Sequence, residues 1–173
     1  MQEARGMKIN GEPITDQTLR KMRGLFASGV TVVTTVHEGK LRGVTVSAFS
    51  AVSLNPPLVL ICLANESESK DWVAESGVFA VNILSDEQEF LSERFAARAP
   101  IVNARFDGVP HHTAITGSPI LADSLAWYDC RVEAMHDGGD HVVFIGRVEA
   151  VGFGAEGKPP LLHFANRYQR LGS

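Results

Sequence analysis

Ala126-Trp-Tyr-Asp-Cys-Arg-Val-Glu-Ala134 alternates apolar and polar residues, and beyond Asp137-Gly-Gly-Asp140 a second run, Val142 to Val151, does the same. Period-two alternation puts Ala126, Tyr128, Cys130, Val132 and Ala134 on one face of a strand and turns Asp129, Arg131 and Glu133 to the other. In the second run Val142, Phe144, Val148 and Ala150 share a face opposite Arg147 and Glu149. Two such runs joined by Gly-Gly make a β-hairpin. A strand with one apolar and one polar face belongs in an antiparallel sheet.

The rest of the chain agrees with that hairpin. Gly29-Val-Thr-Val-Val-Thr-Thr-Val-His37 is β-branched, which suits a pleated strand better than a helix. After a turn at Glu38-Gly39-Lys40 the run Leu41 to Phe49 returns as its partner, and Asn55-Pro56-Pro57 stops the chain before another apolar run, Leu58 to Leu63. Val78 to Leu84 reads as a buried strand, and Leu161 to Phe164 as a last apolar piece. Helical signals are short. Thr15-Asp16 followed by Leu19, Met22 and Phe26 predicts an amphipathic helix ending near Ser28-Gly29. Ser67 to Ser76 predicts a second helix. Ser85-Asp-Glu-Gln88 is a capping-box pattern opening a third through Phe90, Leu91, Arg94 and Phe95. Strands dominate without the strand-helix alternation of a parallel sheet, so the expected fold is a mainly antiparallel β-barrel. One domain is expected over residues 15–173, with residues 1–14 as an N-terminal tail.

Composition narrows the function classes. The 173 residues are 45% hydrophobic and 21% charged, near the average for a soluble globular protein. Sixteen Lys plus Arg against 20 Asp plus Glu leave a formal charge of -4 with no basic run, which argues against nucleic acid as a partner. No stretch approaches the ~18 apolar residues of a membrane helix, and no signal-peptide core is visible. The expected compartment is the cytoplasm. Cys62 and Cys130 both sit in apolar runs and read as reduced, buried thiols rather than a disulfide framework.

Motifs exclude more than they assign. There is no Gly-x-Gly-x-x-Gly turn, no phosphate-binding Gly-Lys loop and no Gly-x-Ser-x-Gly elbow. His111 and His112, or His136 with His141, match no standard zinc spacing, so no metal site is expected. What remains is a run of small and hydroxyl side chains, Thr45, Ser47, Ala48, Ser50 and Ser53. It is either an ordinary solvated strand face or an edge along which a flat ring or phosphate approaches the backbone.

Seven stretches in order carry a resemblance: Phe26 to Thr35, Arg42 to Leu63, Phe79 to Leu84, Gln88 to Ala96, Gly117 to Val132, Gly138 to Val148 and Pro159 to Leu171. Together they resemble the flavin reductase family of the FMN-binding split barrel, the small reductase component of two-component flavin-dependent monooxygenases. The resemblance implies an antiparallel split β-barrel with a few short helices. It also implies a homodimer that binds FMN or FAD, takes hydride from NADH or NADPH and serves a separate monooxygenase. Thr45, Ser47 and Ser53 become candidate donors to the ribityl chain or phosphate of the flavin, with Val46 and Ala48 offering backbone contacts. Ser28, Gly29, Val30 and Cys62 are placed near the ring system, and Phe95, Ala96 and Arg98 at the phosphate side, where Arg98 would offer a forked pair of donors. His141 becomes the candidate to orient the nicotinamide, and Tyr168 to cover that pocket. Two other uses of the barrel stay open: a flavin- or haem-binding module without turnover, and an FMN-dependent oxidase of the pyridoxamine-phosphate type.

Overall fold

The computed structural model describes residues 11–96 and 106–171. The chain enters through helix α1 (Asp16–Gly24), whose N-cap Thr15 accepts a hydrogen bond from the Thr18 amide at 3.1 Å. Strand β1 (Ser28–Gly29) leads into β2 (Thr31–His37), and a turn through Glu38 and Gly39, both at positive φ, returns it as β3 (Lys40–Val46). Strands β4 (Phe49–Leu54) and β5 (Pro57–Ala64) form the next hairpin. Helix α2 (Glu68–Ser76) ends at Gly77, whose φ of 67° is the left-handed cap that glycine adopts without strain. After β6 (Val78–Ile83) comes a single 3-10 turn, Asp86–Gln88, and then α3 (Glu89–Phe95). The short pair β7 (His111–Thr113) and β8 (Pro119–Leu121) precedes the long hairpin β9 (Ala126–Asp137) and β10 (His141–Phe153). A small hairpin, β11 (Leu162–Phe164) and β12 (Arg167–Gln169), closes the described chain.

Every strand pair is antiparallel. Seven strands make one sheet in the order β3-β2-β6-β9-β10-β5-β4, and β1-β11-β12 form a three-stranded sheet beside it. The large sheet curls until β3 touches β5, yet no ladder joins them among the described residues, so the barrel stays split along that seam. Its interior is filled by Val33, Ile61, Phe79, Val81, Cys130 and Phe144, all buried. A second cluster, including Val32, Leu84, Phe95, Phe106 and Leu161, packs the other face of β2 against α3 and the segments around it.

Three local expectations meet a different structure. α1 stops at Gly24, which leaves Phe26 outside it, and Leu19, Met22 and Phe26 stay exposed, Phe26 at 81%, because no described element packs over them. Asp129 lies on the face of β9 opposite Cys130 but is fully buried rather than solvated. Its carboxylate accepts from the Ile115 and Thr116 amides at 2.8 Å each and from the Thr116 hydroxyl, so the 115–118 loop covers it. At Ser85 the capping-box pattern opens a 3-10 turn, Asp86–Gln88, rather than α3 directly. Gln88 Oε1 accepts from the Ser85 amide at 3.1 Å, but the Gln88 amide donates to the Ser85 carbonyl at 3.0 Å, the bond a 3-10 turn makes. Nothing among the described residues then bonds the Ser85 hydroxyl.

Candidate functional site

The split between β3 and β5 is where the sheet leaves room for a ligand. Three adjoining cavities of about 300, 210 and 190 Å³ follow it, all lined by Ser47 and Arg23. Ala48 and Cys62 line the first two, and His163 and Asn166 connect the first to the third. A fourth hollow of about 420 Å³ opens beyond His141 and Arg23, between α1 and the tip of the β9–β10 hairpin.

The floor is built by β3 and the residues after it. The Thr31 hydroxyl donates to the Val46 carbonyl at 2.7 Å, and the Cys62 amide to the Ala48 carbonyl at 3.0 Å. The exposed Ser47 sits between these two pins with its short side chain in the seam. Gly43 and Thr45 share a face of β3. A Cβ at Gly43 would lie 2.7 Å from the Phe95 ring, so the glycine lets α3 pack close. That proximity allows the Thr45 hydroxyl to donate to the Ser92 carbonyl at 2.6 Å. Its proton is thereby committed, which leaves Thr45 an acceptor toward the groove rather than the donor the sequence suggested.

One wall comes from the small sheet. Ser28 pairs with His163 across β1 and β11, and His163 with Tyr168 across β11 and β12, so the three stand in one row. The Tyr168 and His163 rings meet edge to face at 6.0 Å, and the Tyr168 hydroxyl is 2.8 Å from Ser92 Oγ. Ala165 and Asn166 make the two-residue turn between β11 and β12, both at positive φ, as such hairpins require. The Ala165 amide donates to the Gly24 carbonyl at 2.6 Å, which fixes the end of α1 and with it Arg23 over the groove.

At the far end the β9–β10 turn is held by Asn65, the residue just after β5. Asn65 donates its side-chain amide to the Gly139 carbonyl at 2.9 Å and its backbone amide to the Asp140 carbonyl at 3.0 Å. His141 Nδ1 lies 2.6 Å from Asp140 Oδ1, and this hydrogen bond holds the Asp140 carboxyl below the usual carboxylate range. The carboxylate is the acceptor, so Nδ1 carries the proton and Nε2 is left for a ligand.

The structure thus gathers most of the candidate residues. Ser28, Ser47, Ala48 and Cys62 line the ring-sized cavities, and burial pushes the Cys62 thiol up. Val30, Thr45, Ala96 and Tyr168 line the third cavity, while Val46 and His141 border the second. Three residues lie apart from this lining. Gly29 faces outward from β1, and Ser53 pairs with Leu58 on the edge strand β4. Phe95 is 2% exposed, its ring packed on Phe106 and over Gly43, so it positions α3 instead of touching the groove. Arg98 lies outside the described residues. Residues absent from the sequence-based set are Arg23, His163, Asn166 and Ser92; each enters from a separate element, and no local motif marks any of them.

Residues 22–172 match the flavin reductase like domain. The chain belongs to that family. Among its relatives, HsaB, the reductase subunit of a flavin-dependent monooxygenase from Mycobacterium tuberculosis, is 41% identical over 156 residues, covering 90% of this chain and 82% of that protein. An NADH-dependent flavin reductase from Rhodococcus is 35% identical, over 91% of this chain and 88% of that one. Solved flavin reductase structures superpose closely. The homologue of nitrilotriacetate monooxygenase component B from Mycobacterium thermoresistibile gives a TM-score of 0.84 at 42% identity, covering 90% of this chain and 86% of that one. The NADH:FAD oxidoreductase of Streptomyces globisporus, in complex with NAD and FAD fragments, gives 0.84 at 32% identity over 94% and 98%. The open seven-stranded sheet is the split barrel of these flavin reductases.

Proposed function

We infer that the chain is an NAD(P)H:flavin oxidoreductase that supplies reduced flavin to a separate monooxygenase. The observation that carries this reading is one continuous groove in the barrel's split, with a small-residue floor at Ser47–Ala48 and the Asp140–His141 pair at its end. The residues present fit a flat ring system. Ala48, Phe49, Leu60 and Cys62 supply an apolar bed, and Ser28, Ser47 and Asn166 supply polar groups at its margin. A bound FMN or FAD would accept the hydride, and a nicotinamide nucleotide would deliver it.

The protein's share of such a reaction is placement, since the electronics reside in the two ring systems. Ser47 and Ala48 let one ring lie against the backbone. His141, held by Asp140, presents Nε2 as an acceptor for the carboxamide N–H of the donor. Tyr168 and His163 close the side opposite β3 and exclude water there. Two copies associate, covering apolar side chains that a lone chain leaves open, such as Leu19 and Met22 on α1, Phe26 just beyond it and Leu54 on β4. The compartment is the cytoplasm, where both nucleotides are available; no helix among the described residues is long and apolar enough to cross a membrane.

Steady-state kinetics with NADH and NADPH, each paired with FMN and FAD, test the reading. Nicotinamide absorbance falls only when flavin is present, with flavin saturating as a substrate. Absence of flavin-dependent oxidation with every pairing refutes it. Light scattering at micromolar protein gives the mass of a dimer.

A further inference from the structure

The fourth hollow is not needed to hold a flavin ring, and its lining is of another kind. Arg20 and Arg23 lie three residues apart on α1, so they project from one side of the helix into the same space, beside Asp16, Asp140 and His141. Neither guanidinium group makes an ion pair or hydrogen bond among the described residues; the Arg23 carbonyl accepts the backbone bond from Phe26 at the end of α1. Asp140 is already engaged by His141 at 2.6 Å. Arg23 borders all four cavities and is near enough to Asp140 to help hold its carboxyl down. Two uncommitted guanidinium groups at the open end of a groove favour an anionic ligand with several oxygen acceptors.

We propose that Arg20 and Arg23 receive the pyrophosphate of the dihydronicotinamide dinucleotide, with its nicotinamide ring at His141. This rests on the flavin reductase reading and names the part of the donor bound by α1. The direction follows from the groove. His141 lies where the second cavity meets the fourth, so a dinucleotide with its ring at His141 extends its phosphates toward α1. The flavin's phosphate side is served by the opposite end, near Ser92, Ala96 and Tyr168. Asp16, at the start of α1, is the opposing charge on this hollow and limits the attraction to the two arginines nearest the helix end.

Calorimetric titration with NAD⁺ and steady-state kinetics with NADH, in wild type, Arg23→Gln, Arg20→Gln and Lys21→Gln, decide the matter. Lys21 lies in the same helical turn but lines none of the cavities, so it controls for the loss of one charge. Arg23→Gln is expected to weaken NAD⁺ binding and to raise the KM for NADH by about tenfold, with Arg20→Gln similar and Lys21→Gln within about twofold of wild type. Arg23→Lys falls between wild type and the glutamine variant. With 1-benzyl-1,4-dihydronicotinamide, a donor without phosphate, kcat/KM for Arg20→Gln, whose side chain lines only the fourth hollow, stays within about twofold of wild type. For Arg20→Gln, equal losses with both donors, a weakened flavin affinity in a fluorescence titration, or an unchanged NAD⁺ affinity would each overturn the proposal. Failure of the underlying reading has a separate signature, in which wild-type protein oxidises neither donor when flavin is added.

Discussion

Ser92 Oγ and the Tyr168 hydroxyl stand 2.8 Å apart, while the Ser92 carbonyl accepts the Thr45 hydroxyl at 2.6 Å. One residue of α3 thereby joins the floor of the groove to its wall. Removing the tyrosine oxygen leaves the ring on His163 and takes away the bond to Ser92. Tyr168→Phe is expected to weaken flavin binding about fivefold, the equivalent of about 1 kcal/mol for one partly buried hydrogen bond. Fluorescence titration measures it, and a thermal midpoint lowered by no more than the ~2–4 °C that one hydrogen bond accounts for shows that unfolding is not the cause.

The same docking of α3 depends on what Gly43 lacks. An added methyl group would sit 2.7 Å from two carbons of the Phe95 ring, inside van der Waals contact, and Phe95 is packed too tightly against Phe106 to yield freely. Gly43→Ala is expected to cost about 1–3 kcal/mol as an overpacked core. Denaturant melts should show it, and the flavin affinity should fall along with stability as α3 shifts from β3. A variant as stable as wild type would mean that α3 does not sit as close as described.

At the far end of the groove the Asp140–His141 pair makes a pH-dependent prediction. A carboxyl whose folded pKa is lowered contributes stability that is present above its unfolded value and is lost as pH falls through the folded one. His141→Ala removes the hydrogen bond that is the largest cause of the lowering. The Asp140 carboxyl, followed by carbon-13 NMR, is therefore expected to titrate below the ordinary ~3.9 in wild type and to return toward it in His141→Ala. At pH 9 nitrogen-15 shifts should show the Nδ1–H tautomer of His141 in wild type, and Asp140→Asn should release it. An Asp140 midpoint unaffected by His141→Ala would break the pair as a positioning device.

The β-hairpin 126–151 was legible because its alternation is a local property, and so were the ends of α2 and the β9–β10 turn. Asp129 shows the limit of that logic. Period two gives its face correctly, but burial depends on a loop 13 to 14 residues upstream folding back to donate two amides and a hydroxyl. The site divides in the same way. Ser47 and Ala48 were legible as a run of small residues, whereas Arg23, Asn166 and His163 come together only through the small sheet and its contact with Gly24. Phe95 was misread for a related reason: an aromatic near a helix end carries no mark of whether it faces a ligand or a glycine on the next strand.

Ser47 allows the most direct test of the groove itself. Its side chain is exposed, it borders three of the cavities, and no hydrogen bond of its hydroxyl is among those of the described residues. A bulky replacement therefore displaces no core atom, yet it fills space in a seam of about 300 Å³. Ser47→Tyr is expected to lower flavin affinity by at least about tenfold, more than 1.4 kcal/mol, while surface substitutions of this kind move stability by only about 0.5 kcal/mol. Ser47→Ala, which keeps the space and removes the hydroxyl, should fall within about fivefold of wild type, the span of a single hydrogen bond. If the tyrosine variant binds flavin as wild type does, the ring lies somewhere other than between β3 and β5. If the alanine variant loses as much as the tyrosine variant, the hydroxyl rather than the open space controls binding.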